Sequence, residues 1–456
     1  MQKKIQAFLQ KLLRRRNRGL DKSAAVKPRF VFDKIPKNRH YCPTMKKPEL
    51  LAPIGSFEML TAAINAGCDT VYFGVAGLNM RVNTTKQFDL NDLREIAETC
   101  HKAKIKCYLA LNTLIYDNEV EEMKKTVDAA KEAGVDAIIC FDPSAIEYIK
   151  SIGMEVHIST QHSISNIEAV KFFSQWADRV VLARELTLEQ INYICQQIRE
   201  HNICGPKGNL VEIEIFVHGA MCVSISGRCG MSLYMADTSA NRGACSQPCR
   251  RAYTVTDKAS KKELEIDNCF VMSPEDLCTV GMLDEIIATG VACLKLEGRG
   301  RSPEYVDTVV RCYREAIDAI ADKSFAKEKV EDWNERLGTV FNRGLSDGFY
   351  RGKAWQYWAG MGGNKSSQVK ELVGTVIKYY PKIKVVEINV HASDVSEGDE
   401  LLLIGRTSGV VKAKATDMLI DESPIKLANK GDVITFKLDE KVRPNDKMYK
   451  IVSKEN

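Results

Sequence analysis

Short apolar runs alternate with amphipathic stretches between residues 48 and 300 of the chain. In the amphipathic stretch Ser56–Gly67, apolar residues recur at helical spacing, with Ser56 as the predicted N-cap and Gly67 as the predicted C-cap. The apolar runs have the length of buried strands. They are Leu50–Pro53, Thr70–Gly74, Lys106–Asn112, Ala137–Asp142, Glu155–Thr160, Arg179–Arg184, Glu212–Gly219 and Cys293–Gly298.

Eight strand–helix units over about 250 residues predict an α/β fold, a (β/α)8 barrel of the TIM type. The active site of such a barrel lies at the C-terminal ends of its strands. An open, doubly wound sheet is the structural alternative, although no Gly-x-Gly-x-x-Gly follows the first predicted strand. We expect the barrel to span residues 48–358, with a cysteine-rich insertion at about residues 220–290.

Beyond Leu372 the pattern changes to short strands separated by turn residues such as Gly398-Asp399 and Gly431-Asp432. This pattern predicts a small all-β barrel domain over residues 372–456. The glycine-rich segment 359–371 is the predicted linker between the two domains.

The charge of the chain is unevenly distributed. Residues 1–47 carry 15 Lys and Arg against two acids, which is +13, whereas the remaining residues carry 50 basic and 58 acidic side chains, which is −8. Within this extension, residues 1–18 have the spacing of a short basic amphipathic helix. Such a helix suits contact with RNA or an anionic membrane surface, or an import signal, and the alternative is a disordered extension.

No apolar run reaches the roughly 18 residues that a membrane-spanning helix needs, so no membrane span is expected. A secretion signal is not apparent either, which predicts a cytoplasmic protein. In that compartment the 15 cysteines are expected to be thiols or metal ligands rather than disulfides.

Four cysteines lie within 28 residues, in the spacing Cys-x6-Cys-x15-Cys-x3-Cys: Cys222, Cys229, Cys245 and Cys249. An iron–sulfur cluster tolerates such loose spacing, and nearby arginines would offset its negative charge. A zinc ion prefers paired Cys-x2–4-Cys motifs, which only the second pair provides, and buried or redox thiols are a third possibility. Cys278 is an alternative fourth ligand. The remaining cysteines on predicted strands and helices are expected to be small core residues.

Three stretches of the chain resemble the signature of the collagenase-like peptidase family of unknown catalytic type: Glu214–Ser232, Glu49–Ser56 together with Asp69–Gly74, and Lys295–Pro303. The resemblance runs from about residue 48 to residue 352. Within this family, the chain is most similar to the branch of tRNA wobble-uridine hydroxylation proteins, which share the four-cysteine spacing and a C-terminal β domain.

That branch implies an oxygen-independent hydroxylation of a uridine in tRNA, giving 5-hydroxyuridine at the wobble position, with prephenate as co-substrate and a 4Fe-4S cluster. The implied partner is tRNA, with other RNA and an auxiliary or paralogous subunit as further candidates. Other members of the family hydroxylate ribosomal RNA or a quinone precursor, and the older label of the family is protease.

A peptidase is the alternative from another class of enzyme. The chain lacks a Gly-x-Ser-x-Gly elbow, a His-Glu-x-x-His motif and a catalytic-cysteine signature. Cysteines that bind a cluster are also unavailable as nucleophiles. His218 ends a predicted barrel strand within a matched motif, so it is a candidate catalytic base, with a structural role as the alternative.

Several polar residues follow predicted strands and are therefore expected at the mouth of the barrel. Arginines that suit carboxylate or phosphate groups are Arg81, Arg184 and Arg299. Acidic neighbours that suit proton transfer, or simple ion pairing, are Glu185 and Glu297. Side chains that suit hydrogen bonding to a base edge or carboxylate are Asn112, Gln161 and Asn166.

Overall fold

Eight parallel strands pair side by side and close into a barrel in the computed structural model. The strands, named β1 to β8 in chain order, are Glu49–Pro53, Thr70–Phe73, Lys106–Leu111, Ala137–Cys140, Glu155–Ile158, Arg179–Val181, Glu212–Gly219 and Cys293–Leu296. β8 pairs with both β7 and β1, which completes the ring. The predicted (β/α)8 barrel is confirmed, and the ring closure excludes the doubly wound sheet.

The structure describes residues 47–81, 87–266, 273–352, 358–359 and 363–454. The predicted basic extension, apart from Lys47, lies outside these residues, and so does its amphipathic helix. No helix within the described ranges combines the length and the apolar character needed to cross a membrane.

Helices flank the barrel strands, and the first of them shows how the sequence sets their ends. The Ser56 side chain accepts a hydrogen bond from the backbone N–H of Met59 at the start of helix Phe57–Asn65. Gly67 follows the end of this helix with a φ of +89°, a conformation that favours glycine. The other flanking helices are Asp92–Lys102, Val120–Ala133, Pro143–Ser151, Ile167–Phe173, Leu188–Glu200, Leu283–Ala288, Pro303–Ala321 and Lys327–Thr339.

The lower part of the barrel interior is filled by apolar residues and by a chain of buried ion pairs. Leu51, Tyr72, Tyr108, Ile139 and Cys293 belong to one buried apolar cluster.

Beside this apolar cluster, Arg179 binds Glu49 at 2.6 Å and lies 3.7 Å from Glu214, which in turn binds Lys295 at 2.6 Å. These side chains fill the N-terminal part of the barrel interior, which we call the floor. The barrel is therefore closed at the floor and open at its C-terminal mouth.

The cysteine-rich insertion stands between β7 and β8. It contains helix Met231–Ala236 and a hairpin formed by Tyr253–Thr256 and Glu263–Ile266. Arg242 anchors the insertion to the barrel because its guanidinium binds the Glu119 carboxylate and the Leu114 carbonyl. After the insertion, strand Asp276–Cys278 pairs antiparallel with β7, and Leu345–Ser346 pairs parallel with that strand.

The C-terminal region is an antiparallel sheet, which confirms the predicted all-β character. Its strands are, in sheet order, Gly409–Lys414, Glu400–Gly405, Lys447–Ser453, Gln368–Tyr380, Val385–Val390, Val433–Lys437, Leu419–Ile420 and Ser423–Pro424. A separate short pair is formed by Val395–Ser396 and Leu427–Ala428. Strand Gln368–Tyr380 starts within the segment 359–371 that was predicted to be a linker.

The sheet packs against the outside of the barrel. Ala62 on helix Phe57–Asn65 forms an apolar cluster with Leu402, Ile404 and Val410 of the sheet. At the edge of this contact the Arg406 guanidinium binds Glu95 at 2.6 Å. The barrel and the sheet therefore share a buried interface.

Candidate active site

A chamber lies at the C-terminal mouth of the barrel, with about 480 Å³ of free space including the part open to solvent. Six of the polar residues predicted from the sequence line it: Arg81, Asn112, Gln161, Arg184, Glu297 and Arg299. They come from five different strand ends, with Glu297 and Arg299 both following β8, so the closed barrel brings together residues that are more than 200 positions apart. We call this space the inner chamber.

Glu297 is the acidic centre of the inner chamber. Its carboxylate accepts a hydrogen bond from Arg81 at 2.5 Å, and the Glu297 side chain is 8% exposed. Burial alone would raise the pKa of Glu297, but the charges of Arg81, Arg301 and Arg184 outweigh burial and lower the pKa to about 2. Glu297 is therefore a carboxylate at neutral pH, paired with Arg81 rather than with its sequence neighbour Arg299.

Arg184 and Arg299 have no carboxylate within 4.0 Å among the described residues. Arg184 donates to the Ala220 carbonyl at 2.7 Å and lies 3.6 Å from the centre of the Phe216 ring. Arg299 donates to Asn79 Oδ1 at 3.3 Å, and burial lowers its pKa to about 10. Both guanidinium groups remain charged at neutral pH, and the single carboxylate of Glu297, which is paired with Arg81, leaves the chamber with an excess of positive charge. Such a site favours a dianion.

The amide side chains shape the chamber wall. Asn112 Oδ1 accepts from the backbone N–H of Met80 at 3.2 Å, and Gln161 contacts the Ser159 hydroxyl. Because Asn112 Nδ2 also donates to the Ser159 hydroxyl at 3.5 Å, Asn112 connects the loops that follow β2, β3 and β5, whereas the contact of Gln161 stays within its own loop. Both residues line the chamber.

Asn166 and Glu185 lie outside the inner chamber. Asn166 is exposed, and its side chain accepts from the backbone N–H of Ala169 at 2.9 Å, as the N-cap of helix Ile167–Phe173. Its placement is that of a helix cap, away from the substrate position predicted for it. Glu185 forms no ion pair with Arg184; it lines the neighbouring cavity, where its Oε2 is buried without a hydrogen-bond partner among the described residues.

His218 is also absent from the mouth of the barrel. The register between β7 and β8 shifts at Lys295–Leu296, so His218 pairs with Leu296, whereas Phe216 pairs with Lys295. This bulge turns His218 toward the helix layer, where its ring lies 5.5 Å from that of Tyr313. Burial lowers the pKa of His218 to about 3, so it is a poor base at neutral pH.

A larger cavity adjoins the inner chamber, with about 1650 Å³ of free space including the part open to solvent. All four clustered cysteines line this cavity: Cys222, Cys229, Cys245 and Cys249. The two spaces share Arg81, Arg184 and Glu297 as a common wall. We call the larger space the cysteine cavity.

The cysteine cavity has the donors that an iron–sulfur cluster requires. Backbone N–H groups of Ser224 and Met231 lie 3.4 Å from the Sγ atoms of Cys222 and Cys229, and N–H donors of this kind stabilise thiolates. Sulfurs bound to one zinc ion lie about 4 Å apart, because each Zn–S bond is about 2.3 Å long. Among the described residues, no three of these sulfurs lie within 4.8 Å of one another. Cys222, Cys229, Cys245 and Cys249 line one cavity and could hold a cluster, which takes one thiolate at each of its corners.

Cys278 does not line the cysteine cavity. It is buried on strand Asp276–Cys278, where its thiol faces Asn334 at 3.9 Å, and burial raises its pKa to about 11. Cys249 therefore lies with the other three cysteines, and Cys278 does not. The cysteines predicted to be core residues are buried, apart from the partly exposed Cys204: they are Cys68, Cys100, Cys107, Cys140, Cys195, Cys293 and Cys312.

The structure adds residues that the sequence did not single out. The inner chamber is also lined by Tyr72, Phe216 and Lys295, which lie inside strands, where only the register decides which side chains face inward. Arg301 and Arg343 line the cysteine cavity. Arg301 lies two residues after Arg299 in the segment that follows β8. Its position after a predicted strand could therefore have marked it as a candidate site residue.

The fold and the site define a (β/α)8-barrel protein with a cationic chamber beside a four-cysteine cavity. The chain belongs to the peptidase U32 family, whose model matches residues 55–359. The resemblance seen in the sequence is thus confirmed.

Relatives within this family carry two kinds of name. A protein named collagenase from Porphyromonas gingivalis is 46% identical over 407 residues, covering 89% of this chain and 98% of the relative. The tRNA hydroxylation protein P1 of Bacillus subtilis is 34% identical over 416 residues, covering 89% of this chain and 95% of the relative. The 23S rRNA 5-hydroxycytidine C2501 synthase of Escherichia coli is 34% identical over 276 residues, covering 60% of this chain and 40% of the relative.

Proposed function

We propose that the protein is a tRNA-modifying enzyme that hydroxylates a uridine without molecular oxygen, using prephenate and a 4Fe-4S cluster. The observation that carries the proposal is the common wall between the two cavities, which includes the charged residues Arg81, Arg184 and Glu297. It sets a chamber for a small anion directly beside four thiol ligands. The relatives named as tRNA and rRNA hydroxylation enzymes support the same assignment.

The inner chamber suits prephenate because prephenate is a dicarboxylate. Arg184 and Arg299 supply two positive charges that form no ion pair with a described carboxylate, and guanidinium groups bind carboxylates through two parallel hydrogen bonds. Glu297 holds Arg81 at the entrance as an ion pair. With a pKa of about 2, Glu297 acts as an acceptor and an orienting charge rather than as a proton donor.

Cys222, Cys229, Cys245 and Cys249 would hold the cluster, which supplies one-electron transfer when bound. Arg250, Arg301 and Arg343 line the same cavity and offset the negative charge of the four thiolates.

A peptidase is less well supported by the geometry. Neither the inner chamber nor the cysteine cavity has a histidine among its described lining residues, and His218 is turned away by the β7–β8 bulge. A Ser–His or Cys–His pair is therefore missing where substrate would bind. Because a relative is named collagenase, the test of the proposal includes an assay for peptidase activity.

The test begins with anaerobically purified protein and its Cys222→Ala variant, with Cys204→Ala as the control outside the cavity. We expect iron and sulfide in the wild type and the control, and their loss in Cys222→Ala. Stoichiometric zinc in place of iron would contradict the proposed cofactor.

In cells, deletion of the gene should remove a hydroxylated uridine from digested tRNA, as measured by mass spectrometry, and the Cys204→Ala gene should restore it. Loss of a hydroxylated cytidine from rRNA would move the substrate to ribosomal RNA. Unchanged RNA together with gelatin cleavage by the purified protein would overturn the proposal in favour of a peptidase.

A further inference from the structure

The floor of the inner chamber holds a buried lysine. Lys295 precedes Glu297 by two residues on and after β8, so the two side chains face the same side of the strand, with Lys295 one layer deeper. The Lys295 side chain is 4% exposed. It lines the inner chamber but not the cysteine cavity, whereas Arg184 lines both.

Cations and aromatic rings alternate around this chamber. Lys295 Nζ lies 4.4 Å from the centre of the Tyr72 ring and 5.3 Å from that of Phe216. Arg299 lies 5.7 Å from the same Tyr72 ring, and Arg184 lies 3.6 Å from the same Phe216 ring. Because ring faces carry partial negative charge, each ring stabilises the two cations beside it.

Lys295 keeps hydrogen-bonding capacity for a ligand. In the part of the chain that the structure describes, its ammonium group donates one hydrogen bond, to Glu214 Oε1 at 2.6 Å. An ammonium group has three protons, so two remain. The ammonium nitrogen lies beside the Tyr72 and Phe216 rings, which border the chamber together with Lys295 itself.

We propose that Lys295 forms a second anion subsite at the floor of the inner chamber. This subsite binds one carboxylate of a small dicarboxylate, while Arg184 and Arg299 bind the other nearer the mouth. The inference deepens the proposed function and rests on it only for the identity of the dicarboxylate, prephenate. The subsite itself requires a ligand with two anionic groups at separate positions.

Binding of prephenate by calorimetry tests the subsite. The main variant is Lys295→Met with Glu214→Gln, because removing both partners of a buried ion pair avoids leaving one charge unpaired. We expect prephenate to bind about 10- to 100-fold more weakly, as for loss of a hydrogen bond to a charged group. Phenylpyruvate, which has a single carboxylate, should lose much less affinity.

Two single variants complete the test. Glu214→Gln alone keeps Lys295, and we expect it to retain prephenate binding within a few-fold of the wild type. Lys295→Gln alone can still donate to Glu214, so it reports on the subsite if the double variant does not fold. It should show the same loss for prephenate when measured below its melting temperature, which falls because Glu214 loses its cationic partner.

The outcomes separate the subsite from the proposed function. Equal affinity of the wild type and both Lys295 variants for prephenate overturns the subsite and leaves the proposed function standing. Wild-type protein that binds succinate but not prephenate, with the same loss in the Lys295 variants, upholds the subsite and overturns the proposed co-substrate.

Discussion

At the scale of single residues, the proposed function depends on charged side chains at buried and partly buried positions. Glu297 is buried and ionised because Arg81 pairs with it, and the partly buried Arg299 lies beside an amide oxygen instead of a carboxylate. Charged groups in such settings are costly unless a ligand compensates them. The excess of positive charge is therefore the strongest local argument for an anionic ligand.

Arg299→Lys tests this argument. A lysine at this position cannot bind a carboxylate through two parallel hydrogen bonds, so we expect kcat/KM for RNA hydroxylation to fall at least about tenfold. Iron content and melting temperature should stay unchanged. Arg351→Lys, at an exposed ion pair with Glu285, is the matched control. Near-normal modification by Arg299→Lys would remove Arg299 from the anion site.

His218 gives a prediction for pH dependence. Burial lowers its pKa to about 3 in the folded protein, whereas the unfolded chain takes up this proton below its ordinary pKa of about 6.5. The unfolded state therefore binds more protons between these values, and stability falls with decreasing pH by about 1.4 kcal/mol per unit.

In His218→Gln, the loss of unfolding free energy between about pH 7.5 and pH 5 should be smaller by about 2 kcal/mol than in the wild type. Urea unfolding at the two pH values measures this difference. Identical losses in the two proteins would show that His218 titrates normally in the folded state.

At the scale of secondary-structure elements, the close contact between β7 and β8 sets the position of Glu297. Gly219 has a φ of +107°, and a Cβ atom there would lie 2.6 Å from the Glu297 carbonyl oxygen. Gly208 has a φ of +78° but no atom within 4 Å of such a Cβ. Replacing either glycine with alanine would therefore strain the backbone, but only at Gly219 would the added Cβ atom also clash with another residue.

Gly208→Ala should cost about 1–2 kcal/mol from its left-handed backbone alone. Gly219→Ala should cost clearly more in unfolding free energy and should also weaken prephenate binding, because the added methyl group displaces Glu297. Chemical denaturation and calorimetry measure the two effects. Equal costs for the two variants would mean that the β7–β8 contact gives way without consequence.

The elements also show what the sequence could predict. Barrel strands were recognisable because their apolar runs are continuous, and Arg184 or Arg299 could be placed at the mouth because each follows such a run. His218 could not be placed, because the bulge that reverses its direction depends on pairing with a strand almost 80 residues away. Lys295 and Tyr72 were missed for a related reason: inside a buried strand, sequence alone does not tell which face is inward.

At the scale of the whole molecule, the barrel and the C-terminal sheet are joined through an apolar cluster and flanking ion pairs. Leu402, Ile404 and Val410 of the sheet pack on Ala62, and Lys370 binds Glu304 at 2.7 Å. Because the two parts bury surface against each other, we expect the described part of the chain to unfold in a single thermal transition.

Leu402→Ala should remove about 2–5 kcal/mol of this coupling and separate the calorimetric transition into two. Leu427→Ala, at a side chain that is 47% exposed, is the control and should leave a single transition. A single transition in Leu402→Ala, shifted only in temperature, would show that the interface does not couple the two parts.

The common wall of the two cavities has a kinetic consequence. The floor of the barrel is plugged by Lys295, Glu214 and Arg179, so the inner chamber fills and empties through its mouth beside the cysteine cavity. An RNA seated over that mouth would block the way in and out. In the proposed reaction, the small dianion would therefore bind before the RNA, and the product of the dianion would leave after the RNA. Steady-state rates should follow a compulsory order, with excess RNA inhibiting competitively against the dianion.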